Sequence, residues 1–329
     1  MNQFNFSPLT NPKVTWQELK FYAGKSNMIM ASIASVVVFG VLAFMSFSIG
    51  LGRSITFTQL LIAGSMPIMV AIVVLAMIWY VIYRDARRKV LLKHFADQNG
   101  LEFTYSIPNP AYPGMYFQVG DSQQLSECIR TKDGVEIGHY HYETGSGRSR
   151  RTHDLGYARF KLTRRLPHIV LDSKKNNPLG FSNLPGSFSR DQQLSLEGDF
   201  DKHYTLYAPK EYERDVLYIF PPNVMQVFID AQKAVDIEII DNELYIYSMQ
   251  LSDITKPETF RQLMDLVELL GQKVERSSDR YSDERIGQFS ANIVAQPGQR
   301  LKTSVSIVTI IVIAYFILNI VLNIFSVSR

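Results

Sequence analysis

Three long apolar runs without any charged residue interrupt an otherwise mixed sequence of 329 residues. They cover residues 28–49, 60–83 and 303–327. Each is long enough, at about 1.5 Å per residue, to cross the roughly 30 Å hydrocarbon core of a bilayer. Only a short turn around Arg53 separates the first two runs. The pattern therefore predicts three transmembrane helices: a hairpin at residues 28–83 and a single helix at the C-terminal end.

The cations beside these runs predict the orientation of the chain. Five follow the second run within ten residues: Arg84, Arg87, Arg88, Lys89 and Lys93. Arg300 and Lys302 precede the third run, and only Arg329 follows it. Cations concentrate on the cytoplasmic side of transmembrane helices. We therefore expect a multi-pass plasma-membrane protein with its N-terminal tail (1–27) and large middle region in the cytoplasm, and its C-terminus on the exoplasmic side.

Between the membrane runs, the periodicity of apolar residues predicts an α+β domain at residues 84–275, with a mainly antiparallel sheet and a few packed helices. Apolar and polar residues alternate in several short stretches, as in half-buried strands. Asp133-Gly134 and Asp241-Asn242 each separate two such stretches and predict β-hairpins. Helical spacing predicts helices that begin at Pro221-Pro222 and at Pro257. Residues 276–302 are polar, and we expect a tether to the last membrane helix.

Two parts of the middle region resemble a family of uncharacterised bacterial membrane proteins. One part runs from Phe95-Ala96 to Asn99-Gly100-Leu101-Glu102-Phe103. The other begins with Leu196-Glu197-Gly198-Asp199-Phe200 and extends to the helix start at Pro221-Pro222. In that family a two-helix hairpin precedes a cytoplasmic domain, so the resemblance implies this fold and a membrane location, and it implies no activity. Phe220-Pro221-Pro222 departs from the Leu-Thr-Pro of the family, and a C-terminal membrane helix is not expected throughout it.

The charge of the chain is nearly balanced, with 34 Lys and Arg against 31 Asp and Glu, but the cations are unevenly distributed. The densest basic stretch contains Arg148, Arg150, Arg151, Arg159, Lys161, Arg164 and Arg165. Near an anionic leaflet each cation contributes about 1 kcal/mol of attraction. We predict contact with anionic lipid headgroups through Arg148, Arg150, Arg151, Arg164 and Arg165. A solvated loop is the alternative, and nucleic acid is the less favoured partner.

Two histidines have the spacing of metal ligands on a strand. His139 and His141 alternate along a predicted strand and so share one face, and His153 or Asp154 of the next strand is within reach. Neither a third nor a fourth ligand is fixed by spacing. A polar strand face is the simpler interpretation.

An acidic cluster, Glu197, Asp199 and Asp201, lies at the end of another predicted strand. Divalent cations prefer such oxygen ligands, but the glycine and the closing glutamate of a calcium loop are missing. Hydrogen bonds from these carboxylates to the backbone of a turn are the simpler interpretation. We therefore predict no metal and no cofactor.

Sequence signatures of common catalytic sites are missing. The chain has no G-x-S-x-G, H-E-x-x-H, P-loop or G-x-G-x-x-G motif. Cys128 is the only cysteine, so no intramolecular disulfide can form, which agrees with a reducing compartment. We predict no catalytic residue, and the sequence favours a protein that is not an enzyme.

Asn319 and Asn323 lie four residues apart in the third apolar run and so share one helix face. Interhelical hydrogen bonds of such amides contribute about 0.6–2 kcal/mol. The pair is a candidate contact with the hairpin or with a second copy of the chain. The alternative is that both amides contact water at the exoplasmic interface.

From these features the sequence predicts a membrane-anchored cytoplasmic binding or scaffold module. Its partners would be the lipid bilayer, including anionic headgroups, and a protein in the membrane. Two alternatives stay open. One is a membrane-interface enzyme that acts on lipid-linked substrates through His139, His141 or the acidic cluster. The other is a subunit of an export or envelope-assembly machine.

Overall fold

The chain folds into two compact units, Met1–Phe103 and Thr104–Arg329, in the computed structural model. The structure describes residues 4–51, 57–177, 180, 182–196, 198–231, 234–251, 253–287, 292–304, 315 and 319, with the backbone alone for 42–51, 57–68 and 230–231. The described part of the first unit is mainly helical. The described part of the second combines helices with one sheet.

The first unit contains four helices in its described residues: Ser7–Thr10 (α1), Trp16–Ala23 (α2), Lys25–Leu51 (α3) and Phe57–Asn99 (α4). The helix α4 continues through the basic residues that follow the second apolar run. The N-terminal tail expected at residues 1–27, for which a short amphipathic segment at the membrane surface was the alternative, contains α1 and α2, and both pack on α4. Thr15 and Glu18 form a capping box that starts α2, a signal present in the sequence. Leu19 and Ala23 bury the inner face of α2 against Ala86.

The described residues contain fewer candidate membrane-spanning helices than the three expected. Within the described residues, one stretch, Met69–Asn99, is long and apolar enough to cross a membrane. A second candidate exists if α2 and Lys25–Val41, which meet at an angle of 88°, are counted as a single span. The third apolar run lies outside the described residues except for Tyr315 and Asn319, which are helical. Among the residues that the structure describes there is thus one strong candidate span, where three spans were expected for the chain.

The second unit is built on one antiparallel sheet, which confirms the α+β expectation. Its strands within the described residues are Glu102–Pro108 (β1), Asp121–Arg130 (β2), Glu136–Thr144 (β3), Arg151–Ser173 (β4), Gln193–Leu194 (β5), Tyr204–Tyr207 (β6) and Asp236–Ser248 (β7). The long strands β4 and β7 pair with each other along most of their length. The first half of β4 also pairs with β3, and its last residues pair with β6.

Helices and a short turn pack against the sheet. The helices described in this unit are Phe200–His203 (α5), Glu213–Ile219 (α6), Pro222–Ala231 (α7), Pro257–Ser278 (α8) and Gln296–Gln299 (α9). The predicted helices at Pro221-Pro222 and Pro257 are thus confirmed. α8 packs on β4, with Gly271 against the ring of Phe160. The 3-10 turn Met115–Gln118 contributes Tyr116 and Phe117 to a hydrophobic cluster that it forms with strand residues of the sheet. Most of the large side chains in this cluster are aromatic.

One predicted hairpin is confirmed and the other is wrong. Asp133-Gly134 joins β2 to β3, with Gly134 at φ +82°. Asp241-Asn242 lies instead inside the continuous strand β7, where Asp241 takes φ +55° next to a register shift. The neighbouring strand β4 is likewise continuous from Arg151 to Ser173. Because β4 pairs with β7 on both sides of Asp241, an irregularity replaces the turn.

Residues 276–302, expected as a tether, are folded onto the second unit in their described parts. The buried carboxylate of Asp283 accepts hydrogen bonds from Tyr212 Oη at 2.7 Å and from Ala295 N at 2.8 Å. Leu301 N donates to His168 Nδ1 at 3.0 Å. The side chain of Gln192 bonds the backbone of Lys302 twice. Its Nε2 donates to the carbonyl of Lys302 at 2.7 Å, and its Oε1 accepts from Lys302 N at 2.8 Å. Polar composition suggested solvent exposure, but these polar groups bond to partners that are distant in sequence.

Candidate functional site

The basic stretch divides into parts with different surroundings. Arg148, Arg150 and Arg151 lie exposed at the connection between β3 and β4, and we call them the arginine tip. Within the tip, Arg150 Nε lies 3.4 Å from a carboxylate oxygen of Glu143. The positive-φ residues Gly145 and Gly147 allow the chain to turn here, so three cations project from one end of the hairpin.

Arg164 and Arg165 lie far from the arginine tip, at the irregular middle of β4. Thirteen positions along the strand correspond to about 40 Å at roughly 3.3 Å per residue. Arg164 Nε donates to the carbonyl of Asp279 at 3.1 Å, and Arg165 lies 3.7 Å from Asp241. The sequence grouped these five arginines into one patch, and the fold separates them. The expectation of lipid contact therefore rests on the tip.

Arg159, also in the basic stretch, is directed into the protein. Its guanidinium lies 4.1 Å from the ring centroid of Tyr112 and 3.6 Å from Glu243. It also lies 3.9 Å from the fully buried carboxylate of Glu136. This arginine balances buried charge and is not available to a ligand at the surface.

The two candidate histidines do share a face, and Asp154 joins them. His141 Nδ1 lies 2.9 Å and His139 Nε2 3.5 Å from Asp154 Oδ1. His153 is turned away, stacks on Tyr142 and bonds Thr144 at 2.8 Å. Within the part of the chain that the structure describes, no group of three or more His, Cys, Asp or Glu side chains has the arrangement of a metal site.

The acidic cluster is engaged within its own turn. Asp199 pairs with Lys202 at 2.6 Å, and Asp201 accepts hydrogen bonds from Ser195 Oγ and, at 3.1 Å, from Leu196 N. Glu197 lies outside the described residues. The backbone role that the sequence offered as the simpler interpretation thus describes Asp201.

Cys128 is a buried thiol beside an aromatic hydroxyl. Its Sγ lies 3.3 Å from Tyr157 Oη. Burial raises its pKa to about 12, so the thiolate is scarce at neutral pH. Since the thiolate is the reactive form of cysteine, this residue is unsuited to nucleophilic catalysis.

Buried carboxylates bonded to tyrosine hydroxyls are the feature that sequence reasoning missed. Glu136, fully buried at the start of β3, accepts hydrogen bonds from Tyr112 Oη at 2.9 Å and Tyr157 Oη at 2.8 Å, and from Arg130 Nε at 3.2 Å. Burial alone would raise its pKa, but the arginines and tyrosines outweigh it and lower the pKa. This carboxylate is therefore held ionised inside the protein.

A second carboxylate, Glu238 on β7, joins three distant segments. It accepts hydrogen bonds from Met115 N at 2.7 Å and Tyr247 Oη at 2.8 Å. His168 lies beside it, with Nε2 2.9 Å from Glu238 Oε1. Because His168 Nδ1 accepts from Leu301 N, the ring proton lies on Nε2 and is donated to Glu238. The signal in the sequence is a glutamate between the apolar residues Ile237 and Ile239 of a predicted strand. The sequence does not reveal the hydrogen-bond partners of this glutamate.

The pKa of a third buried carboxylate, Asp236, is shifted in the direction opposite to that of Glu136. It accepts from Ser173 N at 3.0 Å and Asn176 Nδ2 at 3.1 Å, and Tyr116 Oη lies 3.4 Å away. Burial raises the pKa of Asp236 to about 6, and the nearby carboxylate of Asp172 adds to the rise. Burial also raises the pKa of Asp172. These two acids lie beneath the turn that follows β4.

A cavity of about 350 Å³ opens next to that turn. We call it the basic cavity; its lining is Ser173, Lys174, Lys175, Lys202, His203, Tyr204, Phe228 and Ile229. The sequence gives no sign that Lys174, Lys175 and Lys202 lie together, because they belong to two dipeptides separated by a long connection. Only the pairing of β4 with β6 brings them together.

Comparison with known proteins adds little to this geometry. Neither a family model nor a curated protein matches the sequence. One solved structure to which the chain is similar is the crystal structure of the mycobacterial trehalose monomycolate transport factor A, TtfA. The TM-score is 0.33 at 12% identity, and the alignment covers 56% of this chain and 96% of that one. A TM-score this low does not establish a shared fold, so the site is interpreted from its own residues.

Proposed function

We propose that the chain is a membrane-anchored binding module. The first unit and the C-terminal apolar run anchor it in the plasma membrane, with the N-terminus and the α+β part of the second unit in the cytoplasm and the C-terminus on the exoplasmic side. The second unit binds partners, among them anionic lipid headgroups at the arginine tip. The resemblance to membrane-anchored bacterial proteins and the cation asymmetry support this orientation.

The observation that carries the anchoring part is the geometry of α2. This helix meets the apolar helix α3 at 88°, so it lies parallel to the bilayer plane when α3 crosses along the normal. This helix exposes Trp16 (62%) and Phe21 (77%), with Lys20 near the Trp16 ring at 5.6 Å. Exposed aromatic rings beside lysines are typical of helices at the membrane interface.

The burial and hydrogen bonding of the carboxylates and of Cys128, and the exposure of the arginine tip, favour binding over catalysis. The buried carboxylates of Glu136 and Glu238 accept several hydrogen bonds each, and Cys128 is buried with a raised pKa. The cations of the arginine tip, in contrast, are exposed to solvent. Exposed cations are suited to headgroup contact, where three of them contribute about 3 kcal/mol.

The headgroup contact is tested with the full-length protein in nanodiscs, using a fluorophore attached through Ser149→Cys. Ser149 lies exposed within the arginine tip. We expect quenching by brominated lipids when the nanodiscs contain phosphatidylglycerol, and weak quenching in pure phosphatidylcholine or at high salt.

Two variants of equal charge change complete this test. Arg148→Ala, Arg150→Ala and Arg151→Ala together should abolish the quenching, while Lys132→Ala, Lys210→Ala and Lys256→Ala together should leave it intact. Equal quenching in both variants would reject headgroup contact by the tip. Stoichiometric co-purification of another membrane protein would instead favour the export or envelope-assembly alternative.

A further inference from the structure

We propose that the basic cavity binds the phosphate group of an amphiphile, with the apolar part of the ligand against its aromatic floor. This proposal rests on the proposed function in that it names a ligand class for the cytoplasmic binding module. It uses residues other than the arginine tip. The two can therefore fail separately.

The cavity forms where three elements end close together. Lys174 and Lys175 follow the last residue of β4, Lys202 and His203 end α5, and Phe228 lies on α7. Lys174 N donates to the carbonyl of His203 at 2.8 Å. This backbone hydrogen bond fixes the two cationic dipeptides side by side, so their proximity does not depend on the conformation of long side chains.

The walls of the cavity are amphipathic. Tyr204 and Phe228 are buried, their ring centroids lie 6.2 Å apart, and Ile229 extends the apolar surface. The three lysines at the rim are exposed. A cavity near 350 Å³ is within the usual range of small-molecule sites, about 300–1,000 Å³, which are apolar with a few polar groups that fix orientation.

The electrostatics at the rim favour an anion. Asp199 pairs with Lys202, and the carboxylate of Asp201 accepts hydrogen bonds from Ser195 Oγ and Leu196 N. Lys174 Nζ donates to the backbone carbonyl of Asp201, which carries no net charge. Asp172 and Asp236 lie buried beneath the turn, where Asn177, Ser173 and Asn176 donate to them. Lys174 also acts to lower the pKa of Asp172, so its positive charge is shared between this buried acid and an anion in the cavity.

Phosphate matches this rim better than a neutral headgroup does. Lysine ammonium groups form charge-assisted hydrogen bonds with phosphate oxygens, and a rim with several cations concentrates anions at its mouth. The phosphate can belong to a membrane lipid or to a soluble phosphate ester with an apolar group. The apolar floor predicts that inorganic phosphate alone binds more weakly than either.

The test measures binding to the full-length protein in phosphatidylcholine nanodiscs by isothermal titration calorimetry. The ligands are monomeric dihexanoyl phosphatidic acid, dihexanoyl phosphatidylcholine, a short alkyl phosphate and inorganic phosphate. We expect saturable binding of the first and third and at least about tenfold weaker binding of the other two. A preference for phosphatidic acid over the alkyl phosphate would identify a lipid as the source. The reverse preference would identify a soluble ester.

Matched variants show whether the cavity is responsible. Lys174→Gln, Lys175→Gln and Lys202→Gln together should weaken phosphatidic acid binding about tenfold or more. Lys132→Gln, Lys161→Gln and Lys210→Gln together, which remove the same charge from other exposed positions, should change it less than about twofold. Ile229→Ser should weaken phosphatidic acid and leave inorganic phosphate unchanged. Equal affinity of the two triple variants, or equal affinity of phosphate and phosphatidic acid, would overturn the proposal.

Discussion

At the scale of single residues, tyrosine hydroxyls are the main donors to the carboxylates inside the second unit. Glu136 and Glu238 bond Tyr157 and Tyr247 in this way, and Tyr212 does the same for Asp283. Buried carboxylates are costly unless they are fully hydrogen-bonded. The local donors decide the outcome: arginine and tyrosine lower the pKa of Glu136, while burial raises that of Asp236 to about 6.

Asp236 therefore predicts an unusual dependence of stability on pH. Its folded pKa exceeds the unfolded value near 3.9, so between about pH 4 and 6 the folded state binds a proton that the unfolded state has lost. The free energy of unfolding should fall by about 2 kcal/mol over this window as pH rises. Asp236→Asn should remove this fall. Thermal unfolding of both purified proteins from pH 4 to 7 checks it, and parallel curves for the two would contradict the assignment.

Glu136 is the counterpart, because its folded pKa is lowered. Its contribution to stability is present above the unfolded value near 4.3 and is lost as pH falls through the lower folded value. Glu136→Ala leaves Arg159 and two tyrosine hydroxyls without this partner and should cost about 3–5 kcal/mol at pH 7. Glu136→Gln keeps the shape and should cost less. Denaturant unfolding compares the two, and equal stability of the wild type and the alanine variant would contradict the pairing.

Such residues could not be identified from the sequence. Glu136 stands in a stretch correctly predicted as a strand, but its donors Tyr112 and Tyr157 are 24 and 21 positions away. A glutamate in a strand is usually placed on the solvent face. Its burial follows from three tertiary contacts that alternation of apolar residues does not encode. The same holds for His168, whose partners are 70 and 133 positions away.

At the scale of elements, a turn sequence predicted a hairpin correctly only where no neighbouring long strand pairs on both sides of the turn. Gly134 allows the left-handed conformation of a tight turn, and the β2–β3 hairpin forms there. Asp241-Asn242 has similar turn chemistry, but β4 pairs on both sides of it and keeps β7 in one piece. Helix starts were more reliable, because the buried stripe of α8 is visible in its sequence.

The C-terminal segment (residues 281–287 and 292–304) supplies an element-scale prediction. A side chain at Gly298 would place its Cβ 2.3 Å from Cζ of Tyr212, a buried ring that is hydrogen-bonded to Asp283. Gly298→Ala should loosen this segment at a cost of about 1–3 kcal/mol. Hydrogen exchange of its amides should become faster, while exchange in β2 and β3 stays unchanged.

Gly186→Ala is the matched control for this prediction. A Cβ at Gly186 would meet no atom within 4 Å, so exchange should match the wild type. If Gly298→Ala exchanges like Gly186→Ala, residues 281–287 and 292–304 do not pack as the structure describes.

At the scale of the whole molecule, the division into an anchor and a cytoplasmic domain was drawn from the apolar runs and their flanking cations. The structure supplies a helical unit with one strong candidate span and an α+β unit. The pairing proposed for Asn319 and Asn323 stays a prediction. Asn319 Nδ2 donates to the carbonyl of Tyr315 at 2.9 Å, and Asn323 lies outside the described residues.

Accessibility of engineered cysteines in intact cells tests the orientation most directly. Cys128 is buried and gives little background. Ser187→Cys lies on the exposed loop after β4, and Ser54→Cys lies in the turn expected on the exoplasmic side. A membrane-impermeant maleimide should label Ser54→Cys in intact cells and Ser187→Cys only after lysis. Labelling of Ser187→Cys in intact cells would place the α+β unit outside the cytoplasm and contradict the proposed function.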